Sequence, residues 1–126
     1  MRHTVFFNLE DTRNVLKEFH DSTFYNLRKI EKDLSTYENL DFNNSKNIIE
    51  RTLSDLCAIS GYKNHISQHV HIKTIEEFLL VIEENLNYLI DKGLFNHYPV
   101  DILDQIYLIR VDLYAFRDFC RVLSEQ

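Results

Sequence analysis

Glycine and proline are scarce in this chain: its 126 residues include two glycines, Gly61 and Gly93, and one proline, Pro99. Sandwiches and barrels need a turn about every ten residues, and turns are built largely from Gly, Pro, Asn and Asp. The scarcity therefore favours long helices with few connections. It also excludes a glycine-rich phosphate-binding loop, because the two glycines stand alone and far apart.

Long apolar runs and a cysteine framework are also missing. No stretch approaches the roughly 20 apolar residues of a membrane span, and the apolar run Val5 to Phe7 is too short for a secretory signal. Two cysteines, Cys57 and Cys120, are too few for the disulfide framework of a small secreted domain. These absences predict a cytoplasmic protein with two reduced thiols that pack as small hydrophobes.

The composition is that of a folded globule, with 44% apolar and 13% aromatic residues. Its length predicts a single domain over residues 1–126. The formal net charge of −6 argues against direct binding to nucleic acid or to an anionic membrane.

Apolar residues recur at helical spacing in four segments, which predicts helices over about 9–38, 45–61, 74–92 and 99–124. The last segment carries a strict heptad, formed by Ile102, Ile106, Ile109, Leu113, Phe116, Cys120 and Leu123. Such a heptad is typical of an antiparallel bundle, and short connections favour antiparallel neighbours. The predicted fold class is all-α, an antiparallel up-down four-helix bundle.

Local signals set the expected helix ends. Thr74 and Glu77 fit a capping box that begins the third helix, and Gly93 is expected just beyond its end. Pro99 suits the first position of the fourth helix, where a missing N–H costs nothing. Residues 62–73 fit either an extension of the second helix or a loop.

Three of the six histidines fall within seven residues, at His65, His69 and His71. On a helix, His65 and His69 lie one turn apart on the same face, which suits a shared Zn²⁺; His71 completes a three-nitrogen site if the helix has ended by then. The run contains no Cys or Glu that would supply a fourth ligand. We therefore favour a polar loop over a metal centre and expect no cofactor.

Arg13 and His20 fit the pattern Arg-x6-His, with the polar Asn14 after the arginine. This pattern resembles the short signature of HEPN-type nucleases, which are all-helical and pair an Arg with a His against an RNA phosphate. The resemblance covers eight residues and implies an RNase. In that family the motif lies at a break between helices, whereas here it falls inside the first predicted helix. We favour a surface arginine and a surface histidine, and no enzymatic activity.

The negative charge is concentrated in one part of the chain. Residues 1–63 hold nine Lys or Arg and ten Asp or Glu, a net of −1. Residues 74–104 hold seven acidic residues against Lys92 alone, a net of −6. The third helix, the turn after it and the start of the fourth helix, where Asp101 and Asp104 lie, therefore account for the whole excess.

On a helical wheel, the acidic residues of the third helix share one sector away from its apolar core stripe. They are Glu76, Glu77, Glu83, Glu84 and Asp91, and Leu80, Val81 and Tyr88 interrupt or flank them. Acidic side chains around apolar groups are typical of a surface that binds a basic partner. The alternative is that Leu80 and Val81 widen the buried face and the glutamates are an ordinary solvated side.

The fourth helix carries a second candidate stripe, formed by Tyr107, Arg110, Tyr114, Arg117 and Arg121. Tyr and Arg are enriched at interface hot spots. Within one chain, these arginines would instead lie against Glu77 and Glu84 of the third helix. The acidic and basic stripes of two copies would also complement each other across a two-fold axis, as in a structural or chaperone-like homodimer.

The charge distribution predicts a small, acidic, non-enzymatic partner-binding protein. We expect an inhibitor of the immunity or antitoxin kind, which masks a basic toxin or a nucleic-acid-acting enzyme through its acidic helix face. A helical metal protein or HEPN-like RNase, and a homodimer, are the alternatives.

Overall fold

A computed structural model describes residues 9–37, 42–66 and 69–125 of the chain. Four α-helices occupy most of these ranges: α1 (Leu9–Ser35), α2 (Phe42–Ser60), α3 (His69–Phe95) and α4 (Val100–Ser124). No strand occurs in the described ranges, so the all-α class is confirmed. None of the four helices is long and apolar enough to cross a membrane.

The helices form a closed ring of four neighbours. The α1 helix packs against α2 and α4, and α3 also packs against α2 and α4. Between the described residues of α1 and α3, and of α2 and α4, there are no close backbone contacts. Four helices that each touch two neighbours enclose one shared core, which is the arrangement of a helical bundle.

The apolar stripes read from the sequence form that core. The seven heptad residues of α4 are all buried, and so are the stripe residues Leu16 to Leu34 of α1. The first helix, predicted to run to about residue 38, ends at Ser35, and Tyr37 beyond its end is exposed. Cys120 packs as a small hydrophobe, as predicted, but Cys57 is exposed. Both thiols are free.

The α3 helix begins five residues earlier than the capping signal predicts. Thr74 lies inside the helix, and its Oγ1 donates a hydrogen bond to the Val70 carbonyl oxygen at 3.1 Å. Threonines in helix interiors commonly bond to the carbonyl four residues back. Ile72, which is buried, continues the core stripe toward the N-terminus. Burial of this side chain extends the helix past the predicted cap.

Gly93 does not end α3. The helix continues to Phe95, and the residue with left-handed backbone geometry is His97, with φ 57°. The Tyr98 N–H donates to the Gly93 carbonyl oxygen at 2.8 Å, which is the six-to-one bond of a Schellman motif with His97 at the C′ position. Packing, and not backbone geometry, restricts position 93 to a small residue, because Gly93 is buried against Tyr98 and Leu103.

The connection into α4 is tied to α2 by a buried hydrogen bond between the Ser45 and Tyr98 hydroxyls. Pro99, predicted at the first helical position of α4, is instead its N-cap, with φ −52° and ψ 142°, so the helix begins one residue later than predicted. Its carbonyl oxygen accepts the N–H groups of Ile102 and Leu103. The segment 61–66 after α2 consists of turns, and residues 69–73 belong to α3.

Candidate partner-binding site

The outer face of α3 carries exposed apolar side chains. Leu80 is 53% exposed, Val81 44% and Tyr88 39%, whereas the adjacent Leu79 is 1% exposed. The alternative that Leu80 and Val81 widen the buried face is therefore wrong. Their positions follow from the helical repeat, since the core stripe of Leu79, Ile82 and Leu86 points to the opposite side of the helix.

Three exposed carboxylates follow the same face at seven-residue spacing: Glu77, Glu84 and Asp91. We call these three residues the acidic stripe. Residues seven apart lie two turns apart and almost in line along a helix. No ion pair joins any of the three to another residue of the described ranges. Their charge is directed to solvent, with Leu80 on one side of the stripe and Val81 and Tyr88 on the other.

The other two acidic residues of the predicted surface lie toward α4. Glu83 is half-buried, and its Oε2 lies 3.2 Å from Arg117 Nη1. Glu76 is also half-buried, and its charge acts on Cys120 of α4. Burial and, to a smaller extent, the negative charge of Glu76 raise the pKa of the Cys120 thiol to about 12. These two glutamates belong to the contact between α3 and α4, here called the α3–α4 seam.

The Tyr-Arg stripe of α4 lies along the same seam and makes contacts within the chain. Arg110 Nη1 donates to Asn87 Oδ1 at 2.9 Å, and Arg117 pairs with Glu83. Each guanidinium also stacks on a neighbouring ring of its own helix, Arg110 on Tyr107 at 5.1 Å and Arg117 on Tyr114 at 4.7 Å. The sequence predicted Glu77 and Glu84 as the partners if these arginines made contacts within the chain. The structure shows contacts within the chain, but with Asn87 and Glu83.

The last residue of the Tyr-Arg stripe, Arg121, is not part of the seam. Arg121 is exposed and lies 3.7 Å from Asp118 on the same helix. Exposed pairs of this length contribute little stability. The seam therefore ends before Arg121.

The histidine run does not lie on one helix. His65 is in the turn after α2, whereas His69 and His71 are in α3, so the helical arrangement that would place His65 and His69 one turn apart does not form, and the favoured polar loop covers only the first of the three histidines. The rings of His65 and His71 lie 5.3 Å apart, and Tyr62 lies 5.3 Å from His71. The side chain of His69 lies outside the described residues. Among the side chains that are described, no group of three His, Cys, Asp or Glu could hold a metal ion.

Arg13 and His20 both lie within α1, as the sequence predicts. His20 Nδ1 is 2.9 Å from Asp21 Oδ1, and its ring stacks on Phe24 at 5.7 Å. Arg13 is half-buried, and its Nε has no hydrogen-bond partner among the described residues. None of these contacts connects Arg13 with His20.

Sequence reasoning missed a second exposed apolar face, on α4. It contains Leu108, which is 62% exposed, Val111, which is 60% exposed, and the exposed Ala115. A signal was available, because these residues step by three and four positions and fall outside the heptad. Leu94, Phe95 and Val100, around the turn between α3 and α4, are also exposed and were not singled out.

The arrangement defines a class of protein: an all-helical bundle whose outer helix faces combine exposed apolar groups with carboxylates that have no described ion pair. Comparisons of the chain with models of protein families, with curated proteins and with solved structures found no match.

Proposed function

We propose that this chain is a small cytoplasmic partner-binding protein that engages a basic protein through the outer face of α3. The observation that supports this proposal most directly is the contrast between the acidic stripe and Glu83. Glu83 is neutralised within the chain by Arg117, whereas Glu77, Glu84 and Asp91 have no ion pair among the described residues. Acidic side chains left without a cation beside exposed apolar groups suit a partner that brings the cations.

The apolar residues supply what charge alone does not. Leu80, Val81 and Tyr88 are exposed in the free protein and would lose contact with water in a complex. Such burial contributes affinity, while complementary charge speeds encounter and selects partners. The expected complex therefore combines a salt-dependent association rate with an apolar contact at its centre.

An inhibitor of the immunity or antitoxin kind fits this surface best. Toxins and enzymes that act on nucleic acid present basic clefts, and an acidic helix face complements such a cleft. A second copy of this chain is a poorer partner for the same face, because α3 against α3 would bring like charges together. Pairing α3 with the α4 arginines of another copy would compete with the contacts that Arg110 and Arg117 already make.

We also propose that the bundle runs up and down, with neighbouring helices antiparallel. Contacts across the α3–α4 seam support this: from Arg110 to Arg117 along α4, the partners on α3 run backwards from Asn87 to Glu83. This topology places the outer face of α3 on one side of the bundle over its whole length.

The test is capture from the native host with the tagged wild-type chain, followed by reconstitution with the purified captured protein. We expect a protein of net positive charge that binds at one-to-one stoichiometry and loses its own activity when bound. Glu77→Lys with Glu84→Lys should weaken this complex at least about tenfold and flatten the salt dependence of association.

The matched control is Glu10→Lys with Glu125→Lys, which changes the net charge by the same amount at two exposed positions away from the face. These residues lie near the opposite ends of helices, so their effects on helix dipoles oppose each other. Equal loss of affinity in both double variants would reduce the effect to net charge and overturn the proposal. Full affinity of the α3 double variant, or an acidic captured protein, would overturn it as well.

A further inference from the structure

A groove of about 350 Å³ lies between α1 and α4, on a different side of the bundle from the acidic stripe. Its apolar lining comes from both helices and consists of Val15, Phe19, Ala115, Phe116 and Phe119. Its polar lining consists of Glu18, Ser22 and Asp112. We call this feature the α1–α4 groove. A volume near the lower end of the range for ligand pockets suits one long side chain.

The aromatic residues in the groove are held in place by one another. The rings of Phe19 and Phe116 stack at 4.4 Å with an interplanar angle of 12°, and Phe119 lies 6.2 Å from Phe116. Phe19 is 7% and Phe116 4% exposed in total, so these two rings form the floor of the groove, and the half-buried Phe119 presents more of its ring. The groove is therefore a preformed apolar surface, which reduces the ordering cost of binding.

The two carboxylates stand on opposite sides of this surface. Glu18 is on α1 and Asp112 is on α4, and both are exposed. Neither forms an ion pair with a residue of the described ranges, and no Lys or Arg lines the groove. An apolar, aromatic floor between two carboxylates matches a side chain with an apolar stem and a cationic head.

We infer that the α1–α4 groove binds an arginine side chain presented by a basic protein. The methylene stem of the arginine lies over the phenylalanines, and its planar guanidinium donates hydrogen bonds to Glu18 and Asp112. Arginine suits this site better than lysine, because a guanidinium stacks on aromatic rings and has several donors for two carboxylates. A second copy of this chain is disfavoured here, since the exposed α4 face beside the groove carries Asp104 and Asp118 as well.

The groove and the α3 face involve different residues, so each can fail without the other. The probe is a short fluorescein-labelled alanine peptide with arginine at every fourth position, and binding is followed by fluorescence anisotropy. Peptides with lysine or with citrulline in place of arginine are the comparisons, because citrulline keeps the shape of arginine and removes its charge.

Two kinds of variant test the groove. Ala115→Trp and Ser22→Trp fill it from opposite walls without changing charge, and Glu18→Gln with Asp112→Asn removes the two carboxylates. We expect each to weaken the arginine peptide at least about tenfold, which corresponds to about 1.4 kcal/mol. Circular dichroism and thermal unfolding of each variant establish that it is folded.

The control variant carries the same charge change elsewhere. Glu10→Gln with Glu125→Gln, at two exposed positions outside both surfaces, should change affinity for the arginine peptide less than about twofold. The citrulline peptide should bind at least about tenfold more weakly than the arginine peptide, with lysine between them.

Three results would overturn the inference. The first is unchanged affinity in both tryptophan variants, which would place the peptide outside the groove. The second is equal binding of the citrulline peptide. The third is sedimentation showing a dimer that either tryptophan variant dissociates, which would make a second copy the occupant. If the groove variants leave peptide binding unchanged while the Glu77 and Glu84 variants still weaken the partner complex, this inference is overturned and the proposed function is not.

Discussion

Arg117 and Glu83 form an ion pair across the α3–α4 seam, with Nη1 and Oε2 3.2 Å apart. Both side chains are more than two-thirds buried, and the guanidinium also stacks on Tyr114. The pair neutralises one of the five acidic residues of α3 that the sequence assigned to a single surface. It therefore separates the glutamate used for internal packing from the acidic stripe left to solvent.

This ion pair should contribute measurably to stability. In a double-mutant cycle of Glu83→Gln and Arg117→Gln, urea unfolding should give a coupling energy of about 0.5–1 kcal/mol, since the pair is partly shielded from water. Arg121 and Asp118, which are 3.7 Å apart and largely exposed, provide the control pair on the same helix. Their coupling should be close to zero, and equal coupling in both pairs would contradict the special role of the seam.

Leu79 and Leu80 are adjacent leucines with opposite environments. Leu79→Ala should lower the free energy of unfolding by about 2–5 kcal/mol, because it leaves a cavity in the core. Leu80→Ala should change it by less than about 0.5 kcal/mol, because the side chain is already exposed. Chemical denaturation of the two variants measures both values. A large loss for Leu80→Ala would mean that this residue is buried and not available to a partner.

Gly93 is required for close packing between α3 and the start of α4. A Cβ there would lie 2.7 Å from Leu103 Cδ2 and 2.9 Å from Tyr98 Cδ2. Tyr98 has little room to move because its hydroxyl bonds to Ser45. Gly93→Ala should therefore cost about 1–3 kcal/mol of stability, although alanine is the better helix former. The control is Gly61→Ala, where the nearest atom is the Ala58 carbonyl oxygen at 3.2 Å, and the change should be much smaller.

His97 adopts the left-handed backbone geometry that glycine adopts without a steric penalty. His97→Gly should raise the free energy of unfolding by about 0.5–1 kcal/mol, the relieved strain being partly offset by the greater freedom of glycine in the unfolded chain. His97→Ala keeps the strain and should have little effect. Thermal unfolding of the two variants checks the prediction, and equal stability of both would contradict strain at this position.

The raised pKa of Cys120 should make the protein less stable at alkaline pH. The unfolded thiol ionises near pH 9, whereas the folded thiol keeps its proton until about pH 12. In that window the folded state binds more protons, so stability falls as pH rises, by up to about 1.4 kcal/mol per pH unit. Cys120→Ala should remove this component, and Cys57→Ala, at the exposed thiol, should not.

Thiol labelling gives an independent check of the same residue. In the folded protein at neutral pH, Ellman's reagent should react with Cys57 and leave Cys120 unmodified until the protein is denatured, because Cys120 is buried. Reaction of both thiols at the same rate would contradict the burial of Cys120.

The sequence predicted the helices and their core faces well where the apolar repeat was strong. In α4 all seven heptad residues are buried, since one face of a regular helix must leave water when helices pack. Helix ends were predicted less well. Thr74 looked like a cap and Gly93 looked like a stop, but burial of Ile72 extends α3 at its start, and at its other end the helix continues to Phe95 and turns at His97.

The candidate site shows the same division. Wheel geometry alone placed Leu80, Val81, Tyr88 and the acidic stripe away from the core, because their direction depends only on the helical repeat. It did not show that Glu83 pairs with Arg117, since this pairing depends on how α3 lies against α4.

By itself, then, the sequence determined that this protein is helical, which side of each helix is buried, and that its net negative charge is concentrated in residues 74–104. Only the tertiary structure decided which charges are neutralised internally and where two helices form a groove. The physical reason is range. Helical periodicity is a local property of consecutive residues, whereas the ion pair of Glu83 and the α1–α4 groove join residues far apart in the chain.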